Sequence, residues 1–180
     1  MGRPKIDRNL LDQVEAVMQR EQYAEAIKLL RKRASEAKND WRLTWNWGWC
    51  YFTLDNYRAA KVHLRRATKL APDKAACYWA FGLACSEAGN YRMAETALLK
   101  ALSLKDSYLA RLSLALTYQK VGKLEKAECV HLEGIALKPD AAERHKAYAN
   151  FLSDVGRKKE ERQVRKKASE IARTQKQVSQ

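Results

Sequence analysis

The chain has 180 residues, 46% apolar and 31% charged, a balance that can bury a sizeable core and excludes a disordered polypeptide. Seven Gly and three Pro leave too few turn formers for a β-rich fold, while Ala, Leu, Lys, Arg, Glu and Gln favour helices, so the composition predicts an all-α protein. A net charge of +14 admits an acidic protein, an anionic lipid surface or a nucleic acid as partner, and no apolar run reaches the roughly eighteen residues of a membrane span.

The start, Met1 to Ile6, is charged with no apolar run behind it and reads as an N-terminal arm over 1–6, which gives a cytoplasmic expectation. Beyond it a pattern recurs. Tyr23-Ala-Glu-Ala26, Tyr57-Arg-Ala-Ala60 and Tyr91-Arg-Met-Ala94 follow at 34-residue steps, and Leu124-Glu-Lys-Ala127 comes 33 residues later. Internal repeats of this length are the signature of stacked helix pairs. Repeat one, 7–40, keeps Tyr23, Ala26 and Leu30 but has Val14 where a small residue is usual. Repeat two, 41–74, has Gly48, Tyr51, Tyr57, Ala60, Ala67 and Pro72; repeat three, 75–107, has Tyr78, Phe81, Gly82, Ala94, Leu98 and Ala101. Repeat four, 108–141, has Leu114, Ala115, Tyr118, Ala127 and Pro139, with His131 and Gly134 as departures. Repeat five, 142–175, keeps Tyr148, Ala149 and Leu152 and then loses the pattern in a basic cap. Over 157–176, nine basic residues face three glutamates. Residues 176–180 are expected to form a flexible tail.

These residues and their spacing closely resemble the tetratricopeptide-repeat (TPR) family over residues 7 to about 170. The resemblance implies one TPR domain over 7–175, a right-handed α-solenoid of ten helices in stacked antiparallel pairs. The physics agrees: small residues at positions 8, 20 and 27 of each repeat let helices approach, large ones fill the space between, and Pro ends the second helix. Turns are expected at Leu54-Asp-Asn56, Ala88-Gly-Asn90 and Val121-Gly-Lys123.

Four of the five tryptophans lie in one stretch, Trp41 to Trp49. Trp41, Trp45, Trp47 and Trp49, with Tyr51 and Phe52, cannot all share one helical face. Trp47 falls on a core position and Trp41 at a repeat junction, so both are expected to pack inside. The resemblance places a second face of each first helix in a concave groove. Across repeats two to four that face carries Trp45, Trp49, Phe52, Trp79, Leu83, Leu112 and Leu116, rimmed by Arg42, Asn46, Gln119, Lys146 and Asn150. A solvated face would not need such residues, so a partner peptide or helix is expected there. The competing explanation is that neighbouring helices cover the tryptophans. Of the residues that members of the family use to clamp a chaperone's acidic C-terminus, Asn46 alone is in place.

No cofactor, metal site or enzymatic activity is expected, since the three histidines and four cysteines lie in no catalytic or zinc-like spacing. The cysteines read as reduced, buried thiols, His131 as a core residue, and His63 and His145 as surface or junction residues. The leading expectation is a non-catalytic protein-interaction module, an adaptor or scaffold. The alternatives are RNA binding through the basic surface, with Lys61, Arg65, Arg66 and Lys69 on a second helix, and self-assembly into a homo-oligomer.

Overall fold

The computed structural model describes residues 8–178, so the expected arm at 1–6 lies outside the described residues. Among them there are helices and turns only. The chain, expected as a single domain, forms two compact units, Met1–Lys105 and Asp106–Gln180, the first of three helix pairs with one short extra helix and the second of two pairs. The first holds α1 (Arg8–Gln19), α2 (Tyr23–Lys32), α3 (Ala34–Ala37), α4 (Trp41–Thr53), α5 (Tyr57–Leu70), α6 (Ala75–Glu87) and α7 (Tyr91–Leu104). The second holds α8 (Tyr108–Lys120), α9 (Leu124–Leu137), α10 (Ala142–Asp154) and α11 (Lys158–Val178).

The described helices number eleven rather than ten. The addition is α3, which arises because the backbone leaves helical geometry at Arg33, with φ −118° and ψ 42°. Arg33 then clasps Glu36 in a two-pronged pair at 3.0 and 2.7 Å, and no Pro or Gly announces the break. α11 runs to Val178, past the expected end of the last repeat, so a flexible tail from 176 is not what the backbone forms.

Each pair turns on a residue in the left-handed region. These are Glu21 (φ 59°), Asp55 (φ 56°), Gly89 (φ 74°), Gly122 (φ 71°) and Gly156 (φ 80°). Asn56 N–H then donates to the Tyr51 carbonyl at 2.9 Å and Asp55 N–H to that of Phe52 at 3.0 Å, which closes α4 and reverses the chain. At the other end of α4, the Asp40 carboxylate accepts from the backbone N–H groups of Arg42 at 2.7 Å and Leu43 at 3.2 Å. That cap satisfies donors the helix itself leaves open.

In the first unit the core follows the small-residue positions. A Cβ on Gly48 would stand 2.5 Å from Leu64 Cγ, and one on Gly82 2.7 Å from Leu98 Cγ. Both leucines are fully buried. Each thus contributes about 2 kcal/mol of apolar burial only because the facing helix lacks a side chain there.

The second unit is more polar inside. Asp106 accepts from Arg111 at 2.5 Å and from Arg144 at 3.2 Å. Arg144 also donates to the Gly134 carbonyl at 2.7 Å. Burial pushes the Asp106 carboxyl up, but the hydrogen bonds from Arg111 and Arg144 outweigh it and hold the pKa below the usual range. Gly134 departs from the family pattern without a steric demand for it: a Cβ there would meet Arg111 Cδ at 3.4 Å and Arg144 Nη1 at 3.6 Å, ordinary contact distances. His145, expected at the surface or a junction, is buried at the connection of α9 and α10, with Nε2 at 2.8 Å from the Pro139 carbonyl. His131 is in the core, against Tyr148 and Phe151.

Candidate functional site

Helical spacing builds the aromatic face of the first unit. Trp45, Trp49 and Phe52 stand at i, i+4 and i+7 of α4, which puts them on one side. The rings of Trp45 and Trp49 are 5.3 Å apart and within 4° of parallel. Phe52 continues the row at 5.2 Å, and Trp79 of α6 closes on Trp49 at 5.7 Å, tilted by 35°. These four side chains are half-buried. Their inner edges pack on Ala60, Leu64, Ala80, Phe81 and Ala84, and the rest stays open to solvent. Neighbouring helices therefore cover the tryptophans in part only. Leu83 is also half-buried.

Trp47 is buried at 4% exposure, as its core position demands. Trp41 packs against Ala67, Ala71 and Cys77. Asn46 is a correction. Expected on the rim, it is only 6% exposed, because its place on α4 turns it into the packed interior. Its Nδ2 and the Nε1 of Trp45 are buried without an acceptor among the described residues, a cost of about 1–3 kcal/mol for each such donor. Arg42 remains 40% exposed and is tethered to Asp40, its Nη2 donating at 3.2 Å.

The candidates in the second unit come together in a cleft of about 540 Å³. Leu112, Leu116, Gln119, Lys146 and Asn150 all line it. Gln119 Nε2 donates to Asp154 Oδ2 at 3.5 Å, and Arg165 Nη2 donates to Asn150 Oδ1 at 3.3 Å. Leu116 is 45% exposed. The sequence reasoning missed Tyr108, Phe151 and Arg165, which share this lining. Arg165 had a signal: it occupies the site in repeat five that Leu30, Leu64, Leu98 and His131 fill in the other repeats. A cation at a packing position marks a side chain turned to another use.

His131 reaches the same cleft, and its burial lowers its pKa to about 4. The ring is neutral near pH 7. His63, expected at the surface or a junction, is half-buried and stacks on Trp47 at 4.4 Å and Tyr51 at 5.4 Å. The thiols divide: Cys50, Cys77 and Cys85 are buried, whereas Cys129 is exposed, against expectation. Among the described residues no group of three or more His, Cys, Asp or Glu is placed to hold a metal, and no helix is long and apolar enough to cross a membrane.

Residues 19–101, less than half of the chain, match the family model described as anaphase-promoting complex, cyclosome, subunit 3. No curated protein sequence matches the chain. Among solved structures, a crystal structure of MamA is similar over 91% of this chain and 96% of its own, with 21% identity and a TM-score of 0.74. MamA from Desulfovibrio magneticus RS-1, from residue 41 to its end, is similar over 97% of this chain and 99% of its own, with 19% identity and a TM-score of 0.77. At such identities the likeness concerns the fold alone. The helix pairs, their turns and their small-residue contacts define an α-helical repeat protein. Within that class the fold is of the tetratricopeptide type, stacked antiparallel helix pairs.

Proposed function

We propose that the chain is a non-catalytic interaction module that holds a segment of a partner protein against the aromatic face of α4 and α6. One observation carries the reading: Trp45, Trp49, Phe52 and Trp79 are assembled into a continuous, half-open aromatic row. Tryptophan in a partly desolvated setting is the commonest anchor of a protein interface, because it buries a large area at small cost in conformational entropy. An amphipathic helix or extended peptide supplies matching apolar side chains. The cleft of α8, α10 and α11 supports the same activity separately. There Leu112 and Leu116 offer apolar area, and Gln119, Lys146, Asn150 and Arg165 offer polar anchors. A cytoplasmic setting, with no cofactor, belongs to the same proposal.

The test selects binders from a displayed peptide library on the intact chain and measures their affinity for variants. Trp49→Ala and Trp79→Ala are expected to weaken the selected peptides by about 30-fold each, the effect of losing a hot-spot anchor of about 2 kcal/mol, while far-ultraviolet circular dichroism stays unchanged. Peptides that bind both variants as well as they bind the parent chain would refute the assignment.

A further inference from the structure

A second recessed surface of the first unit contains none of the tryptophans. It is a cleft of about 490 Å³ lined by Lys38, Val62, His63, Arg65, Arg66, Lys69 and Leu70. Lys38 follows α3, and the others form one stripe of α5 at helical spacing. No acidic residue is part of the lining among the described residues. Arg65 and Lys69 are exposed and make no ion pair with another described residue. Arg66 Nε donates to the Lys38 carbonyl at 2.7 Å, which ties the end of α3 to α5 at one edge of the cleft. The convergence registers on the half-buried imidazole: partial burial first, then the charges of Lys38, Arg66 and Arg31, hold the His63 pKa down to about 4. Between the cations lie Val62, 66% exposed, and Leu70, 39% exposed. Four uncompensated cations in a concavity focus a positive potential that an anion relieves, and exposed aliphatic groups among them favour a ligand that also has apolar side chains.

We propose that this cleft of α5 is a separate docking site for a short acidic protein segment, carboxylates meeting Lys38, Arg65, Arg66 and Lys69 while an apolar side chain covers Val62 and Leu70. A single-stranded nucleic acid would call for aromatic faces on which bases stack. Here the exposed apolar groups are aliphatic, and the His63 ring already stacks on Trp47 and Tyr51. The site lies beyond the aromatic row and does not depend on it.

Fluorescence anisotropy with the intact chain tests the assignment, using a dye-labelled peptide that alternates pairs of Glu with Leu, and a labelled oligouridylate in a parallel arm. The double variant Arg65→Glu/Lys69→Glu removes exposed charge from the cleft. Lys166→Glu/Lys167→Glu makes the same change of net charge on exposed residues of α11. The expected result is saturable peptide binding that falls about tenfold or more in the α5 variant, stays within about twofold in the α11 variant, and is unchanged in Trp49→Ala. Equal losses in the two charge variants would mean a diffuse field and overturn the site. Tighter binding of oligouridylate, with the same dependence on Arg65 and Lys69, would reassign it to nucleic acid. Failure of the peptide to bind the parent chain would overturn it outright, and would leave the aromatic row untouched.

Discussion

At the scale of single residues, what a side chain displaces decides its effect. Gly48→Ala puts a methyl group 2.5 Å from Leu64 Cγ, in a core that cannot give way freely, and is expected to cost about 1–3 kcal/mol in urea unfolding. Gly122→Ala meets no atom within 4 Å but holds φ at 71°, so its cost is the left-handed backbone, about 1–2 kcal/mol. Adding Leu64→Ala to Gly48→Ala should therefore relieve the two closest contacts and leave the one at 3.1 Å to the Leu64 backbone nitrogen, and no coupling between the two would contradict the packing argument. Burial pushes Cys50 up to about 12 and Cys77 and Cys85 to about 11, so these thiols stay protonated and covered. A thiol reagent near pH 8 should add once to the native chain, and not at all to Cys129→Ser. The small positions were legible in the sequence because the repeat displays them side by side. Cys129 was not: it belongs to α9, whose apolar residues are spread around the helix, leaving Leu124, Leu132 and Leu137 exposed as well.

At the scale of elements, repeats four and five, which depart from the pattern, carry the polar interior of the second unit. His131 stands where Leu64 and Leu98 stand in their repeats, and its folded pKa of about 4 lies below the unfolded value near 6.5. Between those values the unfolded chain takes up a proton that the folded chain refuses, so stability falls as pH drops from about 6.5 to about 4. His63 acts in the same sense. His131→Leu should shrink the loss of urea midpoint between pH 7 and pH 5, and an unchanged loss would show that His131 is not charged on unfolding. Helix pairing and turn positions followed from local chemistry, as with Gly89 and Gly122, whose φ values L-residues rarely adopt. The break at Arg33 did not, since it rests on pairing with Glu36 and no breaker residue marks it.

At the scale of the whole molecule, the fold was read from periodicity, which reports helix pairs faithfully. It says less about how completely each pair covers its neighbours. Asn46 is buried, as are Ala80, Ser113 and Ala147 at the same place in the repeats that follow, while Trp49 of the same helix keeps part of its ring in solvent. Arg165 entered the cleft of the second unit from a helix whose composition suggested only a cap. The division at Lys105 and Asp106 falls where the repeat step shortens from 34 to 33 residues, although the connection there is as short as the others. Binding at the aromatic row requires that the half-open tryptophans meet a ligand. The measurement that asks this most directly is acrylamide quenching of tryptophan emission, with and without a peptide selected on the intact chain. The expected result is accessible emission in the free protein and a fall in quenching on saturation, lost in Trp49→Ala. Quenching that saturating peptide leaves unchanged would contradict it.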